Sequence, residues 1–227
     1  VTWTVGHIAV HATCPVLLIP GASALRRTAA TSSASIFCTV GHIIGAAPLV
    51  MVKFSRDATM TAAIFGFFAM GWFGWAQEHP PRPWTRWLRA GSACAALILV
   101  VAAVLAWRLW DTATVFDAGT GRTSGIVVGC RVRLAGVGAG LLTRRNRKEL
   151  VPAWIAAVVG VHLLPLEPLL HYPLLYPVAA LVTMAAVLAV PVARRGSLPV
   201  SAVNGLGVGV VLLTAAILSL TSALTRA

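Results

Sequence analysis

Residues 91–107 read GSACAALILVVAAVLAW, an uncharged run bounded by Arg89 and Arg108. A helix rises 1.5 Å per residue, so about 20 apolar residues cross roughly 30 Å of hydrocarbon while satisfying their own backbone polar groups. Working outward from this run, comparable blocks stand at 35–52, 58–76, 123–142, 150–168, 173–192 and 200–220. Together they predict an all-α, polytopic transmembrane helix bundle of seven helices. An eighth stretch, 2–20, is long enough to span but is diluted by His7, His11, Cys14 and Pro15. The chain therefore divides into an N-terminal segment, 1–34, and a seven-helix membrane domain, 35–227.

Composition agrees. Of 227 residues, 58% are hydrophobic and 11% charged, and the mean hydropathy is +0.85. Disordered chains and disulfide scaffolds have neither balance. The net charge of +12 would elsewhere suggest nucleic acid, but here the cations stand in short gaps between apolar blocks, where they orient helices instead. Arg26, Arg27, Arg82, Arg86, Arg89, Arg144, Arg145, Arg147, Lys148, Arg194 and Arg195 fall in one set of alternate gaps. Only Lys53, Arg56, Arg108, Arg122 and Arg226 fall in the other. The richer side is expected to be cytoplasmic, which places the C-terminus of this multi-pass protein of the cell membrane outside. Trp72, Trp75, Trp84, Trp87, Trp107, Trp110, Trp154, Tyr172 and Tyr176 lie at block ends, as interfacial anchors do. No gap is long enough to fold a soluble domain, so function is expected within the bundle. The preference for Arg over Lys, with abundant Ala, Val and Gly, suggests a bacterial genome of high GC content.

Ionisable groups at mid-membrane are costly and usually need a partner or water. Arg131 and Arg133 fall near the centre of 123–142, His42 near the centre of 35–52, and His162 just past the centre of 150–168. The layer is basic and holds no carboxylate. These four residues are the candidate ligand site, with a small anionic or lipid-like molecule as the expected occupant; snorkelling of the arginines is the plainer alternative. Gly125, Gly129, Gly136 and Gly140 repeat at the four-residue spacing that lets helices approach closely, and Gly205, Gly207 and Gly209 offer the same in the last block. Arg133 shares the face of Gly129, whereas Arg131 is turned about 200° away. Arg133 is thus the arginine expected at a helix interface.

Other chemistry is weakly signalled. His42 facing His162 could hold haem iron, making an electron-transfer subunit; His7 with His11, or His162 with Glu167 and His171, could approach a metal. Without an H-E-x-x-H spacing, no metal or cofactor is expected. Cys14, Cys38, Cys94 and Cys130 form no close-spaced pair, and read as small apolar residues. The glycines around Arg122 lack the first glycine and the lysine of a phosphate loop. No nucleophile motif occurs, so an enzyme is not expected. The prolines of Leu164-Pro165-Leu166-Glu167-Pro168 are expected to end their helix. The echo of Thr4-Val5-Gly6-His7-Ile8 in Thr39-Val40-Gly41-His42-Ile43 stops after five residues and reads as coincidence.

Four short motifs, Trp72-Phe73-Gly74-Trp75-Ala76-Gln77-Glu78, Gly125-Ile126-Val127-Val128-Gly129, Glu149-Leu150-Val151-Pro152-Ala153-Trp154 and Gly160-Val161-His162, together resemble a family of small multi-pass actinobacterial membrane proteins without assigned activity. The resemblance covers about 58–195 and implies an integral membrane fold without implying a substrate. The family pattern has a carboxylate where this chain has Arg131 and an aromatic residue where it has Leu163. Beside ligand handling, a ligand-free accessory subunit is the remaining alternative. The bilayer is the expected surrounding, no nucleic acid is expected as a partner, and the sequence leaves the oligomeric state open.

Overall fold

Each apolar block from 58 onward is a helix, and almost every helix outruns the hydropathy that announces it. The computed structural model describes residues 54–115 and 118–225. Among these it has six helices: α1 Ser55–Ala76, α2 Thr85–Arg108, α3 Ala118–Arg144, α4 Val151–Leu170, α5 Leu175–Gly196 and α6 Val200–Leu224, with short 3-10 turns at Arg82–Trp84 and Lys148–Leu150. All six are long and apolar enough to cross a membrane. The count of seven or eight is not matched, because the stretches 35–52 and 2–20 lie outside the described residues, as does His42. Helices extend past their apolar blocks because backbone pairing continues through residues, such as Arg108 and Arg144, whose side chains prefer the interface.

The prolines of α4 correct a second expectation. The helix runs through Pro165 and Pro168 and ends two residues later, at Leu170; the capping His171 has a left-handed φ of 50°, and its N–H bonds Glu167 O at 2.7 Å. Proline within a membrane helix is tolerated where neighbouring helices support the freed carbonyls. Asn146 and Ser197 are also left-handed. They close α3 and α5 by bonds from Arg147 N to Leu142 O and from Leu198 N to Ala193 O, at 2.8 and 2.9 Å, the pattern of a Schellman cap.

Small residues lie inside and large ones outside. Alanine dominates the fully buried positions, whereas Phe67, Leu97, Val100, Val104, Ile126, Val137 and Val187 are exposed. Water would penalise that arrangement; hydrocarbon does not, and tight packing of small residues is what holds membrane helices together. α1 is the hub, packed along α2 and α6; α5 bridges α4 and α6. At Gly205 a Cβ would stand 2.6 Å from Trp72 O, and at Gly209 or Gly91 it would meet the Phe73 ring at 2.9 Å. The Phe73 ring is thereby wedged between α2 and α6. Gly66 likewise admits the backbone of Leu99, 3.1 Å from its would-be Cβ. Two polar links cross the apolar core: Tyr172 Oη and Ser219 Oγ at 2.6 Å, and Asn204 Nδ2 donating to Pro152 O at 3.1 Å.

The two ends of the bundle differ in charge. Arg82, Arg86, Arg89, Arg144, Arg145, Arg147, Lys148, Arg194 and Arg195 are all exposed at one end. At the other, the start of α1 clasps the connection to α3. Arg56 Nη1 donates to Trp110 O at 2.6 Å and its guanidinium stacks 4.4 Å from the Trp110 ring. The Asp57 carboxylate accepts from Thr114 Oγ1 at 2.5 Å and from Val115 N–H at 2.8 Å.

Candidate functional site

α3 is the helix that carries both central arginines, and it is the least buried of the six. No residue in its apolar window is buried, against 44% of the window in α1 and in α6. Along its length it packs on α4. Its partly covered positions, Thr120, Ser124, Val127, Arg131, Ala135, Gly138, Ala139 and Leu142, fall on a single stripe of the helix. Arg131 is in that stripe. Arg133 is exposed, on the opposite face with Gly125, Gly129, Gly136 and Gly140, over each of which a Cβ would find open space. The sequence expectation is thus reversed: the arginine opposite the glycines is the one at the helix contact. Four-residue glycine spacing permits close approach, but the partner of α3 lies behind its other face.

Three levels of polar atoms mark the contact between α3 and α4. At the centre, the Arg131 guanidinium carbon stands 5.6 Å from the ring centroid of Phe68 on α1, and its charge is close enough to act on His162 of α4. The His162 side chain is 8% exposed, and its Nδ1 has no hydrogen-bond partner. Seven residues before Arg131 lies Ser124, whose buried Oγ is also unpartnered; seven residues after it lies Gly138, against which the Trp154 indole is laid, with buried Nε1 unpartnered. Seven residues is nearly two turns, so these levels share one face and are about 10 Å apart along the axis. Buried polar atoms almost always find partners, which makes three on one seam informative. Glu167, the carboxylate of these two helices, interacts with the Tyr176 hydroxyl of α5 instead.

The structure thus brings together Arg131 and His162, separates Arg133 from them, and leaves His42 outside the described residues. A haem pair of His42 with His162 falls outside them with it. Among the described residues no three His, Cys, Asp or Glu side chains converge as a metal site would require. Sequence reasoning missed Ser124, Trp154 and Phe68. The seven-residue repeat Ser124, Arg131, Gly138 was a signal for the first, whereas Trp154 was indistinguishable from an interfacial anchor.

What these groups can do chemically is donate. The guanidinium face is occupied by the Phe68 ring, an attraction of about 0.5–2 kcal/mol within roughly 6 Å, while its N–H edge stays free for a planar or spherical anion. Comparison with protein-family models, curated proteins and solved structures gives no match; the family resemblance rests on its motifs alone.

Proposed function

We propose that this chain is a multi-pass protein of the cell membrane, its basic end toward the cytoplasm and its C-terminus outside, that binds or moves a small anionic or lipid-like ligand at Arg131 and His162. One observation carries the reading: a buried histidine nitrogen without a partner, beside an arginine at the centre of a membrane-length helix. A charge at that depth costs about 2.5–3.5 kcal/mol on insertion scales, and an anion seated against it offsets that cost while the two side chains replace its hydration. Arg133, exposed on the other face, is excluded from the site on this reading.

Thermal unfolding of the purified full chain tests it. Nitrate, or added phosphatidylglycerol, should stabilise the protein relative to gluconate and phosphatidylcholine, by about 2.7 kcal/mol at a hundredfold excess over Kd. The shift should vanish in Arg131→Gln and persist in Arg133→Gln. Equal unfolding in every anion and lipid, or an unchanged response in Arg131→Gln, would contradict the proposal.

A further inference from the structure

Resting on that reading, we infer that the contact between α3 and α4 is a route across the bilayer for a small inorganic anion, with Ser124, the Arg131 and His162 pair, and Trp154 as successive stations.

A site built only to hold a headgroup needs its donors at one depth. Here three of the four unpartnered buried side-chain atoms among the described residues stand at three depths on one seam: Ser124 Oγ toward the end where α3 begins, His162 Nδ1 at the centre, and Trp154 Nε1 toward the basic end; the fourth, Asn204 Oδ1, belongs to α6. The chemistry of the stations is of one sign. A serine hydroxyl and an indole N–H donate, an arginine only donates, and an imidazole can donate from either nitrogen. The single carboxylate on the two helices, Glu167, is engaged by the Tyr176 hydroxyl. A lining of donors around one fixed cation favours anions over cations and excludes protonated amines.

The mechanics also fit. α3 packs lengthwise chiefly on α4, with Arg131 reaching over the Phe68 ring of α1, so the seam lies at the edge of the tightly packed set of α1, α2 and α6. Gly138 sets the innermost station: the Trp154 indole occupies the space where a Cβ would be, which holds its N–H in the seam rather than at the interface. Spacings of about 10 Å exceed any direct hydrogen bond, so the ion carries water between stations, as multi-site conduction allows.

Chloride influx into phosphatidylcholine and phosphatidylethanolamine vesicles tests the route, using the full chain, an entrapped halide-quenched dye and a potassium clamp. Wild-type protein should conduct chloride and nitrate but not rubidium. Ser124→Ala and Trp154→Phe should each lower chloride flux about tenfold, the loss of one hydrogen bond to an ion. Both variants should keep the nitrate-dependent thermal shift, which shows that they fold and retain the central site. A shift without flux in wild-type protein, including the case in which only phosphatidylglycerol is retained, overturns the route but leaves the binding reading intact. Absence of both shift and flux removes the two together. Rubidium flux equal to chloride flux, or full chloride flux in both variants, also overturns the route.

Discussion

Helices α3 and α6 are both rich in glycine, and they use it in opposite ways. In α6, Gly205 and Gly209 press against the Trp72 carbonyl and the Phe73 ring, with no room for a methyl group. In α3, Gly125, Gly129, Gly136 and Gly140 look onto open space. The spacing is the same kind of signal in both, so spacing does not decide the contact. The opposing surface does: α1 presses the Trp72 carbonyl, the Phe73 ring and Ala76 against the glycines of α6, whereas α3 meets α4 through Ser124, Arg131 and Gly138.

The comparison can be broken first at its strongest point. Phe73→Ala empties the wedge shared by Gly91 and Gly209 and should cost about 3–5 kcal/mol, read as a lower denaturation midpoint in detergent micelles. Gly205→Leu drives a side chain into the Trp72 carbonyl and should cost about 1–3 kcal/mol; a smaller effect than the same change at Gly129 would dissolve the distinction between the helices. Within α3 itself, Gly138→Ala should disturb the Trp154 indole, shifting its fluorescence and costing about 1 kcal/mol or more. Tyr172→Phe leaves the buried Ser219 hydroxyl with one partner fewer and should cost about 1 kcal/mol. The smallest effect has the other sign. Gly129→Ala and Gly136→Ala fill no occupied space and should stabilise the helix by about 0.5–1 kcal/mol each.

The positions of the six spans were legible because bilayer thickness fixes how many apolar residues a crossing needs, and 91–107 or 200–220 supply that number whatever they touch. Sidedness of charge was legible for a similar reason: arginines gather in alternate gaps, and the nine exposed cations lie at one end. The passage of α4 through Pro165 and Pro168 was not legible, since a proline that would stop a helix in water is supported by neighbours in a bundle. Nor was the inward arginine. Helical periodicity placed Arg131 and Arg133 on opposite faces, but only the location of α4 says which face is covered. His162 was legible as a polar residue at depth; its open nitrogen required the packing around it. Trp154 was read as an anchor because an indole at a helix start normally is one, and only Gly138 opposite it reveals the inward placement.

An anomalous difference map from crystals grown in lipid with sodium bromide addresses the basic site most directly. The account requires a bromide peak within hydrogen-bonding distance of both the Arg131 guanidinium and His162. A guanidinium turned toward lipid, with no peak between α3 and α4 at saturating bromide, would contradict it.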